Sequence, residues 1–156
     1  MTRVSFLDWT FDADIDATRE AYRGVDQCAP EECGCDYCKN WVLARGSMYP
    51  ASILEFLRDV GIEHPCEAET WEAGPAKSGG RNYAGWLHFI GKITAGPEPR
   101  DSHASPNNPY VDVGDGFNVW FWHGAHLPLD RLKGHDLVQV EFYTVLPWLL
   151  DTPEPP

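Results

Sequence analysis

Apolar and polar residues alternate along the opening stretch of the chain. Over residues 2–11, Val4, Phe6 and Asp8 fall on one face of an extended segment, and Ser5, Leu7 and Trp9 fall on the other. A period of two predicts a strand, and apolar groups on both faces predict that it is covered on both sides. The run Asp12-Ala13-Asp14-Ile15-Asp16 then offers short carboxylates to cap a helical stretch over Ala17–Tyr22, ended by Gly24. Val25–Glu32, with Pro30, reads as a loop. Asp36–Arg45 reads as a helix closed near Gly46. Tyr49-Pro50-Ala51 opens a second helix that reaches Val60, with Ile53, Leu54 and Leu57 as its apolar stripe and Gly61 as its stop. The two predict a helical hairpin inserted early in the chain.

Beyond Gly61 the period returns to that of strands. Glu67–Glu72 is a short candidate, and Gly74–Gly80 is a turn-rich connection. Asn82–Thr94 is longer, with Trp86, His88 and Ile90 on one face and Leu87, Phe89 and Gly91 on the other. Ala95–Pro109 is proline-rich and predicts a surface loop. Phe117–His123 and Leu137–Leu146 predict further strands, and Asp151–Pro156 an extended or disordered tail. Strands joined by turns, without regular βαβ alternation, predict an α+β fold. Its sheet is an antiparallel sheet or sandwich with helices on one side. No repeat and no change of composition divides the chain, so residues 1–150 read as a single domain followed by the Pro-rich tail 151–156.

Charge narrows the partners. The chain carries 12 Lys and Arg against 24 Asp and Glu, a formal net charge of −12. That field repels phosphate backbones and anionic lipid, which argues against nucleic acid and membrane and favours a cation or a basic protein. No apolar run reaches the ~18 residues of a membrane span. Asp8 interrupts the N-terminal stretch before a secretion signal could form. The expectation is a cytoplasmic protein whose thiols stay reduced. Five cysteines, an odd number, argue in the same direction.

The strongest chemical signal is the cluster Cys28, Cys33, Cys35 and Cys38. Zinc takes four ligands in a tetrahedron and favours thiolates. Cys35-x2-Cys38 at a helix start can set two sulfurs on one ion, where the helix dipole and free amides stabilise their charge. Gly34 allows a tight backbone beside the ion. Cys33, Cys35 and Cys38 could supply three ligands, with Cys28, Cys66 or a histidine as the fourth. A second Cys-x2-Cys knuckle is missing, and copper(I) would accept two or three of the same sulfurs. Two other readings compete: reduced cysteines packed as small apolar residues, and a Cys35–Cys38 redox pair.

Other motifs are weaker. Asp12, Asp14 and Asp16 begin like a calcium loop, but Ala17 stands where glycine is needed and Arg23 where a bidentate glutamate is needed. Gly74–Arg81 lacks the ending of a phosphate-binding loop. His88, His123 or His126 could do acid–base work with Asp112, Asp115 or Glu141, but no spacing fixes a triad. Tyr83, Trp86, Trp120, Trp122, Tyr143 and Trp148 alternate along the predicted strands. Such rings first indicate sheet packing; the functional version is a groove of Trp86, His88, Trp120 and Trp122 for a small ligand or sugar.

Three motifs stand together: Cys33-x-Cys35-x2-Cys38-x-Asn40-Trp41, Tyr83-x-Gly85-Trp86-x-His88-Phe89-x-Gly91, and Pro147-Trp148-x-Leu150. In this the chain resembles a family of small uncharacterised bacterial proteins, from about Phe6 to Asp151. The resemblance implies one full-length domain and carries no activity; Cys28 and Cys66 lie outside its motif. The expected function is a non-enzymatic, zinc-containing binding or interaction protein with an acidic surface, of inhibitor or immunity type. The alternatives are a thiol- or metal-dependent enzyme using the Cys33–Cys38 cluster, and a small-ligand or carbohydrate-binding β-sandwich.

Overall fold

A computed structural model of the chain describes residues 1–98 and 110–156. Most of the expected loop Ala95–Pro109 therefore lies outside the described residues. The alternating N-terminal stretch folds back on itself: β1 (Thr2–Phe6) and β2 (Trp9–Ala13) pair antiparallel around Leu7, whose φ is +52°. Tight hairpin turns take left-handed backbone of this kind, so a single strand expected over residues 2–11 becomes two. Asp14 then caps α1 (Ile15–Arg23), its Oδ1 accepting from the Ala17 N–H at 3.1 Å. Capping accounts for this aspartate without calcium.

The short helix α2 (Ala29–Cys33) occupies part of the expected loop. Pro30 in its first turn is the signal for it, since the missing proline N–H would have had no helical partner there. The expected hairpin follows as α3 (Asp36–Met48) and α4 (Ala51–Asp59). Gly46 lies inside α3 rather than at its end, and Pro50 divides the two helices.

The remaining elements are β3 (Glu69–Pro75), β4 (Arg81–Ala95), β5 (Val111–Asp112), β6 (Asn118–His123) and β7 (Leu137–Leu146). With β1 and β2 they form a seven-stranded antiparallel sheet in the order β1-β2-β4-β7-β6-β5, with β3 also on β4. The fold is α+β with an antiparallel sheet, as the pattern predicts. Gly85 is required where β3, β4 and Phe142 converge: a Cβ there would lie 2.4 Å from the Glu69 carbonyl oxygen and 2.6 Å from the Phe142 ring.

One pleat of the sheet carries Phe11, Phe89, Phe121, Val140 and Phe142 into the main core, beneath Trp41 of α3 and Phe56 and Leu57 of α4. Trp41 stacks on Phe142 with ring centroids 5.1 Å apart. Ile90 and Leu137 lie on the opposite pleat and pack with Leu132 and with Ala17 and Ala21 of α1. Helices thus contact both faces, where they were expected on one. The tail is anchored: Arg81 donates to the Pro155 carbonyl at 2.7 Å and pairs with Glu154 at 3.5 Å. Among the described residues no helix is long and apolar enough to cross a membrane.

Candidate metal centre

Two helix ends meet at Gly34. Cys33 is the last residue of α2, Gly34 is its C-cap at φ +66°, and Cys35 is the N-cap of α3. The left-handed glycine reverses the chain, so that the end of one helix faces the start of the next. Cys38 lies in the first turn of α3, and its N–H points at Cys35 Sγ, 3.5 Å away. The sulfurs of Cys33, Cys35 and Cys38 all lie within 4.8 Å of one another, so this group could hold a metal ion. Zinc–sulfur bonds of about 2.3 Å in a tetrahedron set sulfurs ~3.8 Å apart, a small closure from this arrangement.

The three thiols have different environments. Cys33 and Cys35 are exposed and Cys38 is buried. The Cys35 backbone N–H, and then the Cys35 and Cys38 thiols, hold the Cys33 thiol below its ordinary range. Burial, followed by the Cys33 and Cys35 sulfurs, pushes Cys38 up to about 12. The group therefore sets one exposed sulfur held toward its charged form beside one buried sulfur held toward its neutral form.

Cys28, expected as the fourth ligand, is instead joined to Cys66 in a disulfide. The reason is α2 itself. Cys28 is its N-cap and Cys33 its last residue, so a helical rise of about 1.5 Å per residue separates them along the axis. Read as a loop, residues 25–32 could have folded Cys28 onto the cluster; as a helix they cannot. The expectation that all five cysteines stay reduced is corrected with it. Among the described residues, no other Cys, His, Asp or Glu joins the three.

A polar network without a local mark in the sequence supports the helix pair. The Arg45 guanidinium of α3 pairs with Glu31 of α2 and, at 2.6 Å, with Glu67. Glu67 is fully buried and also accepts from Tyr49 Oη at 2.7 Å. The i,i+14 spacing of Glu31 and Arg45 has no helical meaning, so nothing local marks the pair.

The aromatic groove is also corrected. The sheet register sets Trp86 and Trp120 beside Glu141, and His88 and Trp122 beside Gln139, so the four do share a pleat. But Trp86, His88 and Trp120 are 4%, 0% and 1% exposed and present no ring face to solvent. Trp120 meets Trp9 edge-on at 4.9 Å, and Trp86 meets His126 at 5.2 Å. Trp122 is half-buried and borders a shallow pocket of about 340 Å³ with His123.

His88 Nε2 is 2.9 Å from Gln139 Oε1, and its Nδ1 has no hydrogen-bond partner among the described residues. Burial pushes its pKa down to about 4, so the ring is neutral near pH 7. Gln139 Nε2 donates to Glu141 Oε1 at 2.8 Å, and Tyr110 Oη donates to Glu141 Oε2 at 3.0 Å. Asp112 Oδ1 instead accepts from the Gly114 N–H at 2.8 Å.

Comparison of the chain with known protein families, curated proteins and solved structures finds no match.

Proposed function

We propose that this chain is a non-enzymatic metal protein in which Cys33, Cys35 and Cys38 hold one zinc ion and an acidic surface engages a basic partner. The observation that carries the reading is the approach of three sulfurs to within 4.8 Å at adjoining helix ends. Three thiolates leave a fourth zinc position for water or a partner group. Copper(I), which is content with soft sulfur ligands, competes for the same place. Elemental analysis of native protein purified without added metal tests the claim. About one zinc per chain supports it; a folded, reduced sample with no bound metal sinks it.

The net charge of −12 supports a basic protein as partner, in the manner of an inhibitor or immunity protein. Its capture on immobilised protein should weaken as salt rises, and yields indifferent to salt count against it. A cytoplasmic setting belongs to the same proposal. The three free, mutually close thiols support it, whereas the Cys28–Cys66 disulfide counts against it.

A second reading is a thiol-dependent enzyme. It is favoured by Cys33, which is exposed and held below the ordinary thiol range. Alkylation by iodoacetamide separates the two. An enzymatic thiolate reacts fast at neutral pH in the native protein, whereas a metal-held thiolate reacts only after chelation.

A further inference from the structure

We propose that the Cys28–Cys66 disulfide is a reducible latch on the three-cysteine centre, opened by a small thiol that enters the cleft beside it. The latch rests on the metal-binding reading of Cys33, Cys35 and Cys38. Both half-cystines line an open cleft of about 670 Å³, together with Tyr22, Arg45 and His64. Cys28 is the more exposed of the two, and Cys66 is 8% exposed. Cys28 is thus the half-cystine nearer to solvent.

The bond is attached to a short element. α2 has five residues, and a helix of about one turn does not persist alone in water. Its N-cap Cys28 makes no side-chain capping bond, and the residue is instead tied covalently to Cys66. The Ala29 N–H bonds to the Glu67 carbonyl at 3.1 Å, next to the half-cystine. A side-chain tie, Glu31 to Arg45, joins side chains that are 30% and 19% exposed. Cys33 sits at the far end of this helix, whereas Cys38 is buried on the longer α3. Loosening α2 moves one sulfur and leaves another in place.

The exchange balances with two equivalents of thiol. The first thiolate attacks Cys28 Sγ and the S–S bond breaks. Its electron pair leaves on Cys66 Sγ, which takes a proton from water. A second thiolate attacks the outer sulfur of the mixed disulfide, releases an oxidised small disulfide and leaves Cys28 as a thiolate. The protein disulfide is reduced, and two small thiols are oxidised.

The test uses the full chain. Glutathione is added to folded protein, and alkylation with mass spectrometry counts thiols at Cys28 and Cys66. In parallel, Cys28→Ala/Cys66→Ala is compared with the disulfide form, without reductant, for hydrogen exchange and for zinc affinity by chelator competition. The expected result is reduction by glutathione without unfolding, lost protection at Ala29, Glu31, Glu32 and Gly34 but not across α3, and zinc affinity lower by about tenfold or more. A disulfide untouched in the folded protein overturns the proposal, as does a double variant with unchanged protection and affinity. Zinc bound by neither form overturns the metal reading instead. Amide protection then decides separately whether the bond latches α2.

Discussion

Cys33 closes one helix, Cys38 lies in the first turn of the next, and their sulfurs stand within 4.8 Å across the left-handed Gly34. A group made from two helix ends needs no long loop. It does need the reversal between the helices, the packing that buries Cys38, and the tether on the short helix.

Cys38→Ser should remove the buried sulfur and leave the exposed pair. Zinc affinity is expected to fall by at least tenfold, since even loss of a group that only orients a ligand costs about 10–100-fold. Chelator competition at fixed pH measures it, and an unchanged affinity would place the ion elsewhere.

Gly34→Ala isolates backbone from space. Nothing lies within 4 Å of a Cβ placed there, so the cost comes from φ +66° alone. It should amount to about 1–2 kcal/mol in urea denaturation, with Gly34→Asn milder because asparagine tolerates this region. A neutral Gly34→Ala would mean that the turn relaxes without penalty.

Arg45→Met should leave the fully buried Glu67 without its cation. Removing one partner of a buried pair costs about 3–5 kcal/mol. The double change Arg45→Met/Glu67→Gln should recover part of that loss. Denaturation midpoints decide, and a single variant as stable as the parent would show the pair to be dispensable.

His88 gives a pH signature. Its folded pKa of about 4 lies below the ordinary 6.5, so the unfolded chain binds a proton that the folded chain refuses. Stability from this group is complete above pH 6.5 and is lost as pH falls toward 4. The loss is on the order of 3 kcal/mol. Denaturation at pH 7 and at pH 4.5 should show it, and His88→Gln should flatten that part of the profile. A parent chain equally stable at both values would refute the assignment.

Much of the fold was legible because it is local. Alternation marks β7 at its observed bounds, Leu137–Leu146, and the Asp14 cap and the α3–α4 pair follow from residue types at fixed offsets. The Cys33, Cys35 and Cys38 spacing likewise confines three sulfurs to one stretch of chain. The hairpin turn at Leu7 was hidden, because alternation continues through a tight turn and no glycine marks it.

What alternation could not decide was what covers each face. Trp86, His88 and Trp120 share a pleat whether it is open or closed, and contacts with Trp9 and His126 bury the tryptophans. The same limit applies to Cys28. Its partner Cys66 is 38 residues away, and that pairing depends on where α2 docks, not on any spacing. Periods, caps and the three clustered thiols can be read along the chain, because they arise between neighbours. Which cysteine leaves the cluster and which rings are buried cannot, because those outcomes depend on burial shared among distant segments.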